Sequence, residues 1–284
     1  AAAILWSAEE LATTLANEIV NRGGPDFAVR LVEETGMEPA DIAYAFAAVK
    51  AVYSLESIYA GIDALDGKID GRKQISLYRK VQDLLRAQTA WFLRHGLSED
   101  SLEPEIMRYR DGVEYLAAHL AEALSAKARA RLEADGRSLR EEGVPAELAR
   151  NLAALTPLSH APDAIRVART MNVPLPVAAR AIFDMRERFC LDELAAASEA
   201  LAGRDYYDRL AVNSSLAAVS AVQSALARRV IEHPVAQGDF ETWRKLNGHA
   251  AGRVAASFAA MLEEGGLTLA KLTVGIGQLR DLSA

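Results

Sequence analysis

The 284-residue chain is half apolar and a quarter charged, with a formal charge of −7. That size suits one large or two ordinary globular domains with a sizeable core, and the acidic balance gives no electrostatic footprint for nucleic acid or an anionic membrane. The lone cysteine, Cys190, excludes an internal disulfide and fits a reducing, cytoplasmic setting.

No run approaches eighteen apolar residues; Ile42 to Val49 is stopped by Lys50, so no membrane span is predicted. The opening AAAILW lacks the basic flank of a signal peptide and reads as a cut end inside a longer chain.

Ser7 and Glu10 have the form of a capping box, and Leu11, Leu15 and Ile19 give the predicted helix from Ala8 to Asn21 one apolar stripe. Gly23-Gly24-Pro25 ends it and starts the next. A short helix to Thr35 closes at Gly36, and Pro39 opens a longer one. Leu55 to Leu65 is helical, followed by turn signals at Asp66-Gly67 and Asp70-Gly71. Arg72 to Arg94 is a long amphipathic helix carrying Leu77, Val81, Leu84, Leu85 and Phe92. Pro104 fits the first turn of another, with Val113, Leu116 and Leu120 on its face. The polar stretch from Asp135 to Gly143 is expected to be a loop or frayed end.

Five of the nine prolines fall between Pro145 and Pro176, a pattern of short helices and turns that marks the boundary between two halves. Helices resume over 176–189, 191–202, 205–232, 240–264 and 269–282. Within 240–264, Trp243, Leu246, Ala250, Val254, Phe258 and Met261 form a helical stripe. No period-two alternation competes, so the predicted class is all-α, a multi-helix bundle.

An internal repeat aligns Ala28–Gly67 on Ala164–Gly203 without gaps, at an offset of 136. Gly36 meets Asn172, both tolerant of the left-handed conformation at a helix end. Leu55, Ile58, Leu65 and Gly67 meet Leu191, Leu194, Leu201 and Gly203. Two similar helical halves are the expected consequence.

The chemistry-bearing residues form no convincing site. His95, His119, His160, His233 and His249 make no helical metal motif. His119 and Glu122 are spaced to share a helix face, but two ligands do not make a metal site and a solvated pair is favoured. Asp63, Asp66 and Asp70 fail the calcium-loop spacing. Gly275-Ile-Gly277 lacks the third glycine, the preceding strand and the downstream acid of a dinucleotide loop. Cys190 reads as apolar filler, and Ser214-Ser215 lack a nucleophile-elbow context. Arg228-Arg229 and the arginines from Arg108 to Arg140 read as solvated faces; Trp6, Trp91 and Trp243 read as core. No catalytic, cofactor-binding or metal-ligating residue is assigned.

The strings LANEIVNRGGPDF, RLVEETG, SLESIYAGIDALDG, TAWFLRHG, RYRDGVEYL, GVPAELARNLAAL, DYYDRLA and LTVGIGQLRDL occur in that order. Their order and spacing resemble the helical C-terminal region of the very large bacterial NAD-specific glutamate dehydrogenases. The opening AAAILWSAEE departs from the basic run usual there. The resemblance implies a parent enzyme that converts L-glutamate and NAD to 2-oxoglutarate, ammonia and NADH, with its catalytic and NAD-binding residues upstream of this chain. The fragment would itself be non-catalytic, with a structural, oligomerising or regulatory role and no cofactor of its own. Its implied partners are the upstream catalytic domain and other copies of the parent enzyme, not nucleic acid or membrane.

The expected organisation is a helix over 1–26 continuing from the upstream region, one helical half over 27–142 and another over 143–284. Ile4, Leu5, Trp6, Leu11, Leu15 and Ile19 are expected to form an apolar docking patch towards the missing region. A free-standing helical interaction scaffold is the alternative. A helix-turn-helix DNA binder built on Gly23-Gly24 is disfavoured by the acidic charge.

Overall fold

The computed structural model describes residues 8–96, 102–202, 205–263 and 266–283, and among them it is all-α, a multi-helix fold with no strand. It divides into two compact units. The first takes the described residues of Ala1–Glu114 and Glu133–Ser159, the second those of Tyr115–Leu132 and His160–Ala284.

In the first unit, α1 (Ala8–Glu18) passes into a π-helical turn, Ile19–Gly23. The expected single helix to Asn21 therefore widens in its last turn, and an α-type bond from the Gly24 N–H to the Val20 carbonyl, at 3.0 Å, closes it. Next come α2 (Phe27–Thr35), α3 (Pro39–Val52), α4 (Leu55–Asp63) and α5 (Gly71–His95). Gly36 closes α2 at φ 69°, and Asp70 caps α5 by accepting from the Arg72 and Lys73 amides at 2.9 and 3.2 Å. The predicted α5 stripe of Leu77, Val81, Leu84, Leu85 and Phe92 is wholly buried.

After α6 (Leu102–Ala118) and α7 (Leu120–Ala123), α8 (Ala126–Glu141) runs straight through most of the stretch expected to be a loop. Its alanines, arginines, leucines and glutamates are strong helix formers. Leu139 and Gly136 give it a buried side, so the charged residues need only face water. Then α9 (Ala146–Leu158) packs on α4 and α5.

The second unit contains α10 (Ala161–Met171), α11 (Leu175–Arg188), α12 (Leu191–Ala202), α13 (Tyr206–Glu232), α14 (Phe240–Leu246), α15 (Gly248–Glu263) and α16 (Leu269–Ser283). The helix expected over 240–264 breaks at Asn247, whose side-chain amide returns to the Trp243 carbonyl at 3.0 Å. The break turns Leu246 outward, while Trp243, Val254, Phe258 and Met261 stay buried. The prolines of 145–176 sit at helix starts, except Pro157 inside the last turns of α9.

Helix bounds repeat between the units. Pro39 and Leu175 open α3 and α11, Val52 and Arg188 end them, and Leu55 and Leu191 open α4 and α12, each pair 136 apart. The linkers match in backbone as well. Tyr53 and Phe189 lie at φ −99° and −98°, and Ser54 and Cys190 at φ 50° and 51°. The pairing of helices is also the same: in α2–α5 and in α10–α13 the first packs on the second and fourth, the second on the third and fourth, and the third on the fourth. Equivalent apolar positions (Leu31 and Val167, Phe46 and Ile182, Leu55 and Leu191, Ile58 and Leu194) are all buried. Compositional coincidence would not reproduce two left-handed non-glycine residues at one alignment position.

The 27-residue α13 is long and apolar enough to cross a membrane by length and composition. In the fold it is a core helix, packed by α10, α11, α12 and α16 and carrying buried Gln223 and Ser224. The docking patch expected at residues 1–20 falls largely outside the described residues: Ile4, Leu5 and Trp6 lie there, as does the side chain of Leu11. Of the rest, Leu15 is half-buried and Ile19 buried.

Candidate functional site

The residues singled out in the sequence are placed apart and mostly hold helices together. His119 precedes α7 with its ring stacked on Tyr115 and its Nδ1 2.9 Å from the Tyr115 carbonyl. No ion pair joins it to Glu122 among the described residues. Asp63 accepts from the Tyr78 hydroxyl and lies 3.7 Å from Arg22, whereas Asp70 caps α5. Gly275 and Gly277 are interior residues of α16, not a loop. A Cβ on Gly275 would come within 3.1 Å of the Phe258 ring, so that glycine lets α16 approach α15. Ser214 and Ser215 are mid-helix in α13. Among the described residues no group of three or more His, Cys, Asp or Glu is placed to hold a metal ion.

What sequence reasoning missed is a buried polar network in the second unit. Arg186 on α11 donates from Nε and Nη2 to Asp192 Oδ1 on α12, at 2.9 and 2.6 Å. Its Nη1 donates to the Gln223 Oε1 on α13. His160, just before α10, places Nε2 3.1 Å from the same Asp192 oxygen. Nearby on α10, Asp163 is buried and accepts from Ser220 and Ser224 of α13, at 2.9 and 3.5 Å. All four helices of the repeat are tied through these contacts. Burial alone would raise the Asp192 carboxyl, but the hydrogen bonds and charges of His160 and Arg186 hold it well below the usual carboxylate range. Burial and the Arg186 charge push His160 below its ordinary value despite Asp192, which favours the neutral ring. The shifts describe a charged Asp192–Arg186 pair beside a neutral His160 ring, not a proton donor poised near neutrality.

The first unit has a counterpart. Lys50, equivalent to Arg186, pairs with Glu56, equivalent to Asp192, and also with Glu18. Gln88, one position out of the offset, is equivalent to Gln223. It accepts from the Tyr53 hydroxyl at 3.1 Å and donates to the Ser159 carbonyl at 2.8 Å. The same hydroxyl reaches the Leu158 carbonyl at 3.1 Å. The signal was present in the repeat, where 50/186 are both basic and 56/192 both acidic.

A cleft of about 840 Å³ opens within the second unit between α11, α15 and the α7–α8 turn. One wall carries Arg180, Asp184, Glu187 and Arg188; the floor is Gly252, Ala255, Ala256 and Ala259 of α15. Burial pushes the Asp184 carboxyl up to about 6, with Arg180 opposing and Glu187, Asp239 and Glu241 reinforcing. Cys190 faces this cleft, and burial together with Glu193 raises its thiol above the ordinary value, the opposite of an activated nucleophile.

The family described as glutamate dehydrogenase, C-terminal, matches residues 7–281. A stretch of 168 residues, 57% of this chain, is 33% identical to an NAD-specific glutamate dehydrogenase of Halomonas elongata, and covers 10% of that protein. The NAD-specific glutamate dehydrogenase of Pseudomonas aeruginosa is 32% identical over 51% of this chain and 9% of its own. That of Mycobacterium tuberculosis is 26% identical over 50% of this chain, again 9% of its own. The chain thus matches about a tenth of the length of these relatives. With nearly its whole length covered by the family model, the chain belongs to the glutamate dehydrogenase C-terminal family.

Proposed function

We propose that this chain is the non-catalytic C-terminal helical region of a large NAD-specific glutamate dehydrogenase, and that its part is structural. The longer enzyme would oxidise L-glutamate to 2-oxoglutarate and ammonia with NAD, in the cytoplasm, as a step of amino-acid catabolism. One observation carries the reading. The buried polar side chains, Arg186, Asp163, Gln223 and Gln88, are committed to tying helix to helix. A catalytic site needs such groups turned to a substrate. The proposed partners are the upstream catalytic domain and further copies of the enzyme. NAD would bind upstream, because no strand–glycine-loop–helix phosphate cradle is found among the described residues.

The test is direct. The 284-residue chain is assayed for NADH formation from L-glutamate and NAD, and titrated with NAD by calorimetry. Neither turnover nor heat of binding is expected; micromolar NAD binding would overturn the reading and direct attention to Gly275–Gly277.

A further inference from the structure

The cleft of the second unit has a charge arrangement that the structural role does not require. It is lined by Lys127, Arg129, Arg180 and Arg188 on one hand and Glu122, Asp184, Glu187 and Glu241 on the other. Several are already satisfied. Ser125 donates to Glu187, Arg244 pairs with Glu241 at 2.7 Å, and Arg180 donates to the Glu122 carbonyl at 3.0 Å. Asp184, Arg188 and Lys127 make no hydrogen bond or ion pair among the described residues.

Asp184 lies among the carboxylates of Glu187, Asp239 and Glu241, with Arg180 as the cation near it. Lys127 and Arg188 lie around Cys190, and Arg188 also acts on Glu241. Gly252, Ala255, Ala256 and Ala259 of α15 line the same cleft and offer nothing larger than a methyl group.

Asp184 and Arg188 are four residues apart on α11, so their Cβ atoms are about 5–6 Å apart on one helix face. They have the spacing to pair with each other but do not. A ligand that bridges them must hold a cation and an anion a few ångströms apart. We propose that this cleft binds a free α-amino acid, its ammonium on Asp184, its carboxylate on Arg188 and Lys127, and its side chain over the alanine floor. The two charged groups on one carbon match the helix spacing, whereas a longer ω-amino acid would overshoot it.

The experiment is calorimetric titration of the 284-residue chain with L-alanine, L-glutamate and L-lysine, and with acetate and methylammonium, which each carry one of the two charges. At least one amino acid is expected to bind with a dissociation constant of about 1 mM or tighter, and the single-charge probes at least about tenfold more weakly. Asp184→Asn and Arg188→Gln should each weaken binding about tenfold or more. Ala256→Leu, at an exposed floor position, should abolish it by filling the cleft while leaving the circular dichroism spectrum and melting temperature unchanged. No amino-acid binding, equal binding of acetate, or binding indifferent to all three variants would each overturn the proposal. So would a dimer that masks the cleft in sedimentation and is broken by Ala256→Leu, which would make the surface a protein interface. None of these results bears on the absence of NAD binding.

Discussion

The two units solve the same packing problem with different donors. Each places a glutamine in its fourth helix, Gln88 or Gln223, opposite the turn between its second and third helices. In the first unit the donor to that glutamine is the neutral Tyr53 hydroxyl; in the second the equivalent residue is Phe189, and the Arg186 guanidinium takes over. The basic–acidic pair next to the turn also differs. Lys50 and Arg186 are both largely buried, with side chains 13% and 9% exposed, but Lys50 shares its charge between Glu18 and Glu56, whereas Arg186 puts two donors on Asp192 and one on Gln223. A phenol that satisfies the glutamine leaves the Lys50 ammonium free to pair with two carboxylates. Losing the phenol leaves the buried cation to satisfy the glutamine as well, while Asp192 balances its charge.

The first break of this comparison is Arg186→Met. It leaves Gln223 Oε1 without its donor and Asp192 with His160 alone, and should cost about 2–3 kcal/mol in urea unfolding. Lys50→Met at the equivalent position should cost less, about 1 kcal/mol, because Gln88 keeps its Tyr53 donor and Glu18 and Glu56 remain partly in water. Equal losses would deny that the burden has moved from one position to the other. Next, Gln88→Leu removes the hydrogen bonds to the Ser159 carbonyl and from the Tyr53 hydroxyl and should cost about 2 kcal/mol, most of it seen as faster amide exchange in α9.

The third concerns Asp184. Its folded value of about 6 exceeds the ordinary carboxyl value near 3.8. Its favourable contribution is therefore complete below about pH 4 and is lost as pH rises through 6. Asp184→Asn should stabilise the chain by about 1–2 kcal/mol at pH 8, an advantage that fades towards pH 4. A gain independent of pH would place the cause elsewhere. The smallest effect is at the matched left-handed residues: Ser54→Gly and Cys190→Gly should each stabilise by about 0.5–1 kcal/mol, measured by thermal melting.

Much of the helix pattern could be read from sequence because it is local. Gly36, Pro39, Asp70 and the α5 stripe announce their helices through capping and periodicity. The errors fell where tertiary packing decides. The α8 segment looked polar enough to be a loop, yet Leu139 suffices to anchor it. Asn247 breaks a stripe that periodicity alone would continue. The Arg186 network was invisible because a lone arginine among charged neighbours reads as surface. Only its equivalence to Lys50, visible through the repeat, marked the position as structural. The family assignment came from ordered strings of residues rather than from any physical signal in them.

The central claim is that this chain braces the longer enzyme without taking part in its chemistry. The most direct measurement splits the full glutamate dehydrogenase just before this region, then assays the upstream part with and without the 284-residue chain. The account predicts that the upstream part alone is impaired in turnover and melts at a lower temperature, and that adding the chain restores both. An upstream part with full rate and unchanged melting temperature would contradict it.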